Sequence, residues 1–255
     1  MRLPVPAIDG RSMGYSVDEA LEQTRQNLKR DLPWFAGAKH PVKKHFIVVG
    51  GGPSLLDQIP QIRARHKKGV IVACNGAANT LIKHGIKPEF IAYMDPTPAM
   101  TMYVGQHVGA TYLVASMCHP DLFEALKLRR VILWHADFDL DAQREVYKET
   151  TRPYLMIPGA GTVCMRMLNL GYFAAYRSFH LYGVDSSYKE PGKDHAYAKP
   201  DGIEPEPIKI GMKDKEYLCS PWMVRQAEEF KKEYKVFVAE LGCRITAHGD
   251  GLIPD

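Results

Sequence analysis

At 255 residues, 45% of them hydrophobic, the chain is long enough for one large α/β domain with a small attachment. Its 33 basic and 29 acidic residues leave a formal net charge of +4. That balance suits an anionic small molecule, and without a basic helix or basic-aromatic interleaving it argues against nucleic acid as a partner. No apolar stretch approaches a membrane span and no charged start leads into a secretory core, so a cytoplasmic protein with no membrane span is expected. The five cysteines form no C-x-x-C pair, and reduced, buried thiols fit the same compartment.

In chain order, residues 1–40 are predicted to be a helical appendage. Ser16-Val-Asp-Glu19 is a capping box opening a polar helix to about Lys29. Leu32-Pro-Trp-Phe35 follows, and its aromatics need a surface to cover them, either the main domain or another copy in a homo-oligomer. Residues 41–255 are predicted to be the main domain. Apolar, β-branched runs occur at Phe46–Val49, Val70–Cys74, Phe90–Met94, Tyr112–Ala115, Val131–Trp134, Phe179–Tyr182 and Arg244–Ala247. Helical patterns intervene at Leu55–Arg65, Ala77–His84, Asp121–Leu128 and Val163–Tyr176, and a longer one starts at Ser220-Pro221 and stops at Gly242. Strands alternating with helices imply a Rossmann-like, doubly wound, mostly parallel sheet. Lys189–Lys215, rich in Pro and Lys, is expected to be irregular, within a lid over about residues 186–219.

Ligands of such sheets bind at the carboxyl ends of the strands, where polar residues follow the apolar runs in series. Gly50, Gly51, Gly52, Pro53 and Ser54 form a turn after the first strand, with Ser54 placed to cap the next helix. Glycines, free N–H groups and a helix start together suit a phosphate, although the spacing matches neither the dinucleotide nor the ATPase fingerprint. Gly159, Gly161 and Thr162 precede a second helix in the same way. Asn75 follows the second strand, and Asp95 follows the third, where it is either a turn-initiating carboxylate or a Mg²⁺ ligand facing a di- or triphosphate. Gly183-Val-Asp185 ends another strand. In the insertion, His195 beside Asp194 has the composition of a general base oriented by a carboxylate, or of an exposed surface histidine.

Val49–Leu55, Asn75 and Gly85-Ile-Lys-Pro-Glu-Phe-Ile-Ala-Tyr-Met-Asp95 resemble the MptE-like family, named for an archaeal 6-hydroxymethylpterin diphosphokinase. The layout is also similar to motility accessory factors that modify flagellin and to bacterial sialyltransferases of the Campylobacter type. Gly171-Tyr172 through His180-Leu-Tyr-Gly-Val-Asp185 resembles a stretch of the sialyltransferases, and the likeness extends over about residues 45–255. It implies a nucleotide donor held by Gly51–Leu55, Asn75 and Gly161-Thr162, with Tyr188 as leaving-group stabiliser and His195 as base. Asp95 stands where the sialyltransferases carry asparagine, which suits a metal-dependent phosphoryl donor.

Three expectations follow. The first is a group transferase using a nucleotide sugar such as a CMP-sugar and a small-molecule or glycan acceptor, with Asn75 and Asp185 fixing hydroxyls. The second is a Mg²⁺-dependent diphosphokinase moving pyrophosphate from ATP, with Asp95 on the metal. The third is a binding or assembly protein without chemistry.

Overall fold

The structure is a computed structural model that describes residues 16–106, 109–138, 140–190, 193–198, 206–212 and 214–254. The first fifteen residues of the expected appendage and residues 199–205 of the expected lid lie outside these.

Among the described residues, eight strands form one parallel sheet: β1 His45–Val49, β2 Gly69–Cys74, β3 Phe90–Tyr93, β4 Thr111–Ala115, β5 Arg130–Ala136, β6 Met156–Ile157, β7 Ser178–Tyr182 and, late in the chain, Arg244–Ala247. The insertion supplies β8 Ile208–Met212 and β9 Lys215–Cys219, so Arg244–Ala247 is β10. The order across the sheet is β10-β7-β1-β2-β3-β4-β5-β6. The chain therefore steps outward from β1 to β6, then returns across the sheet to β7 on the other side of β1. The topological switch point lies between β1 and β7, where a doubly wound fold opens its ligand crevice. Every strand predicted from apolar runs is present, because fully covered parallel strands need continuous β-branched sequence. In β1, Phe46 to Val49 are at most 2% exposed.

The helices are α1 Val17–Leu28, α2 Ile59–His66, α3 Ala77–Lys83, α4 Pro120–Ala125, α5 Asp141–Lys148, α6 Val163–Phe173 and α7 Pro221–Ala239. α1 starts at the predicted Ser16–Glu19 capping box. It does not stand apart. Asn27, fully buried, donates from Nδ2 to the carbonyls of Ser116 (2.9 Å) and Cys118 (2.8 Å), which pins α1 to the loop after β4. Leu133 N–H donates to Pro33 O and Phe35 N–H to Leu133 O, so the Trp34 segment pairs with β5. Trp34 meets His135 edge-on at 4.8 Å, and this sheet contact covers the aromatics that the sequence left seeking a surface.

Four local expectations differ from what formed. The helix predicted over Leu55–Arg65 begins as a 3-10 turn, Pro53–Gln58, and becomes α2 only at Ile59. Ser54 does not cap it, since the N-cap position is Gly52 and the Ser54 hydroxyl bonds elsewhere. β6 and α5 carry no long apolar run and were not predicted. The insertion is not wholly irregular, because β8 and β9 pair as an antiparallel hairpin joined to the body where Tyr188 N–H donates to Leu218 O at 2.7 Å.

Candidate functional site

Val49 pairs with Tyr182, so Gly50 and Gly183 leave the sheet side by side at the switch point. Gly50 N–H donates to Tyr182 O (2.8 Å) and Gly52 N–H to Gly183 O (2.7 Å). Ser54 donates from its N–H to Asp185 Oδ2 (2.9 Å) and from its hydroxyl to Asp185 Oδ1 (2.6 Å). Gln58 completes the junction by accepting from Gly183 N–H at 2.9 Å. Most of the N–H groups that the sequence suggested for a phosphate are thus engaged in fastening β1 to β7. A Cβ at Gly50 would come within 2.5 Å of Gly183 O, and one at Gly52 would meet the Asp185 carboxylate. These two glycines are small because the backbones touch. Asp185, expected at a ligand hydroxyl, is instead bonded to Ser54 through both oxygens and only 2% exposed. Burial raises its carboxyl above the ordinary value, while the Ser54 hydrogen bonds oppose that rise.

Gly51 is placed differently. Its carbonyl accepts from Ala196 N–H at 2.9 Å, which docks the insertion segment 193–198 onto the turn. The Tyr197 ring lies directly against Gly51 and against Gly76 at the end of β2, where a Cβ on either glycine would run into it. Tyr103 meets the same ring edge-on at 5.5 Å. His195 lies 5.4 Å from the Tyr197 ring, with its Nδ1 3.1 Å from Asp194 Oδ1. The segment therefore brings the predicted His195–Asp194 pair to the predicted crevice. Tyr188, 7% exposed, sits beside β9, at the base of the same insertion.

Asn75 has a left-handed backbone (φ 50°), which asparagine tolerates better than most residues, and its buried Oδ1 has no partner among the described residues. Asp95 accepts from Thr97 N–H at 2.9 Å, and burial raises its carboxyl from the ordinary value against that bond. Among the described residues no three His, Cys, Asp or Glu side chains converge as a metal cage. Asp95 fits only the kind of site in which one hard carboxylate oxygen shares Mg²⁺ with ligand phosphates and water.

The second glycine turn leads into α6. Thr162 caps α6 as predicted, accepting from Met165 N–H at 3.3 Å. Cys164, in the first turn of α6, lies against Gly50, so this helix start reaches the same crevice. However, Gly161 N–H donates to Glu229 Oε2 of α7 at 3.3 Å, and Gly159 (φ 129°) faces Asn169 and Glu233. Arg166, 1% exposed, ties the loop down by donating to the carbonyls of Ala160 (2.9 Å), Asp137 (2.7 Å) and Ile157 (2.7 Å). Glu233 is buried and hydrogen-bonded to Asn169, and desolvation pushes its carboxyl up to about 7. Glu229, Glu233, Arg166 and Gln58 escaped the sequence reading because each sits mid-helix or mid-turn, where polar residues are ordinary. Tyr197 carried a signal only through its place in the His195 segment.

Residues 18–191 match the family described as 6-hydroxymethylpterin diphosphokinase MptE-like, which is more than half of the chain. The chain belongs to the MptE-like family. The match begins in α1 and ends at residue 191, so it starts earlier and stops earlier than the likeness expected over about residues 45–255. Among solved structures, the MAf glycosyltransferase from Magnetospirillum magneticum AMB-1 is similar, with a TM-score of 0.70 and 16% sequence identity over 94% of this chain. At that identity the likeness is one of fold. This MptE-like chain spans 37% of the length of that glycosyltransferase chain. No curated protein matches it. No helix of its described residues is long and apolar enough to cross a membrane.

Proposed function

We propose that this MptE-like protein is a nucleotide-dependent group transferase acting on a hydroxyl acceptor, with glycosyl transfer from a nucleotide sugar as the favoured reaction. The observation that carries the reading is the docking of segment 193–198 on Gly51, which holds a carboxylate-paired histidine at the carboxyl end of β1, beside the switch point of a doubly wound sheet. His195 takes the acceptor's proton at its free ring nitrogen while Asp194 orients the ring through Nδ1. The acceptor oxygen then bonds to the sugar's anomeric carbon, and the bond from that carbon to the donor phosphate breaks, its electron pair leaving with the phosphate. Tyr188 donates a hydrogen bond to that departing phosphate, and Gly51, Asn75 and the start of α6 at Thr162 receive the donor. Asp185 and Ser54 act through the turn, holding Gly51 in place.

A second reading rests on the family description and on Asp95. Attack of a hydroxymethyl oxygen on the β-phosphorus of ATP, with AMP leaving, is also transfer to a hydroxyl. Asp95 would hold Mg²⁺, which supplies charge neutralisation at the phosphates. Thermal stability with CMP, CDP, ATP and GTP, each with Mg²⁺ and with EDTA, separates the two. A ligand at 100 times its dissociation constant adds about 2.7 kcal/mol to stability. Stabilisation by cytidine nucleotides in EDTA supports glycosyl transfer, and stabilisation by ATP only with Mg²⁺, lost in Asp95→Asn, supports the diphosphokinase. No shift with any nucleotide sinks both and favours a non-catalytic binding protein. With a substrate in hand, full turnover by His195→Ala would refute the base assignment.

A further inference from the structure

The glycine turn after β1 and the Asn75-Gly76 turn after β2 bound a narrow slot, and one side chain fills it. Tyr197 lies with its ring against the bare backbone of Gly51 on one strand end and of Gly76 on the next. Tyr103 closes the slot edge-on. The phenol is buried towards Cys74, Cys164, Tyr93 and Tyr103, a setting that pushes its ionisation well above the ordinary value. Ala196 N–H bonded to Gly51 O keeps the ring seated. Beside it, Asn75 presents a buried acceptor oxygen without a partner among the described residues.

Two glycines from different turns packed on one ring make a space shaped for a flat aromatic group. A buried Oδ1 without a donor is a cost that a ligand N–H would relieve. The geometry points to Tyr197 as a built-in occupant of a slot that receives the planar heteroaromatic ring of the ligand, a nucleobase or a pterin, once the 193–198 segment lifts. This deepens the nucleotide-dependent reading and rests on it for the identity of the site. The free protein is then closed, and the measured affinity is the intrinsic affinity reduced by the fraction of molecules with Tyr197 out of the slot.

The test compares the full-length chain with Tyr197→Ala and with Tyr197→Phe, which keeps the ring, after all three show cooperative melting. Cytidine, adenosine and neopterin probe the ring alone, and CMP and ATP probe ring plus phosphate. Titration calorimetry reads the affinities. The rate of iodoacetamide labelling at Cys164, read by peptide mass spectrometry, reports the plug without any ligand. Tyr197→Ala should bind at least one of the probes tenfold or more tighter than wild type and label Cys164 at least fivefold faster, with the bound probe slowing that labelling. Tyr197→Phe should behave as wild type. Unchanged labelling in Tyr197→Ala overturns the plug. Equal or weaker binding by that variant, where wild type binds CMP or ATP, overturns the inference and leaves the nucleotide reading standing. Tighter binding of the bare ring compounds, with neither protein taking CMP or ATP, upholds the slot and refutes the nucleotide reading. No binding of any probe by either protein overturns both.

Discussion

Two glycine turns lie at the carboxyl side of the sheet, and each already holds a carboxylate. At the first, Asp185 accepts from the N–H and hydroxyl of Ser54; at the second, Glu229 accepts from Gly161 N–H. The first turn is braced by backbone, with β1 and β7 exchanging hydrogen bonds at contact distance. The second is braced by long side chains, with Arg166 on three carbonyls and Glu233 behind it. A helix start attracts negative charge whether it comes from a ligand or from the chain itself. At the first turn Gly51 remains turned to the crevice, and there the insertion docks.

The comparison is broken most severely at Gly50. Gly50→Ala drives a Cβ into the carbonyl of Gly183, with no flexible atom to yield, and is expected to cost at least about 4 kcal/mol in urea denaturation, enough to prevent folding. Arg166→Met keeps most of the packing volume but removes the donor to the Ala160 and Asp137 carbonyls and leaves Ile157 O with Asp137 N–H alone. A loss of about 3 kcal/mol is expected in the same assay, and a change under 1 kcal/mol would show that the second turn does not depend on that guanidinium.

The two regions should also fail at opposite ends of the pH scale. Glu233 binds its proton up to about pH 7 when folded, against 4.5 for the ordinary side chain, so the folded state holds the extra proton between those values and loses stability as pH rises through them. Glu233→Gln should therefore be more stable than wild type at pH 8, by about 2 kcal/mol, with a flatter melting profile from pH 5 to 7. Beside the first turn, His180 in β7 bonds to His248 at 3.0 Å and is pushed down to about 4, chiefly by burial and by the nearby Arg65 charge. Its unfolded form takes a proton near 6.5, so this contribution is present above that pH and is lost as pH falls towards 4. His180→Gln keeps a hydrogen-bond partner for His248 and should reduce the acid loss between pH 6.5 and 4.5 by about 1 kcal/mol, measured by thermal melts. The smallest effect is expected at Gly51→Ala. The added methyl meets the movable end of Tyr197, so stability should fall by less than about 1 kcal/mol while Cys164 labelling rises. A loss as large as that of Gly50→Ala would erase the distinction between glycines that join strands and the glycine that faces the crevice.

Much of this molecule was legible from local pattern. Seven apolar runs marked seven strands, Ser16–Glu19 and Ser220-Pro221 marked the starts of α1 and α7, and Gly242, at φ 63°, lay just beyond the end of α7. Those features act within a few residues, through side-chain burial, capping and backbone freedom, and so they can be read one segment at a time. The series of polar strand ends likewise pointed to one side of the sheet. What the polar groups do there was decided by partners far away in the sequence, 68 residues for Gly161 and Glu229 and 131 for Ser54 and Asp185. Ser54 was a credible cap until Asp185 took its hydroxyl, and Gly161 a credible anion donor until Glu229 reached its N–H. Asn27 pins an apparent appendage to the loop after β4, and Tyr197 fills a slot bounded by two turns from the first third of the chain. Hydrogen bonds and close contacts between distant segments depend on register and crossover direction, which no local window of sequence contains, and for that reason the tertiary structure alone settled which strand-end groups face the crevice and which hold it together.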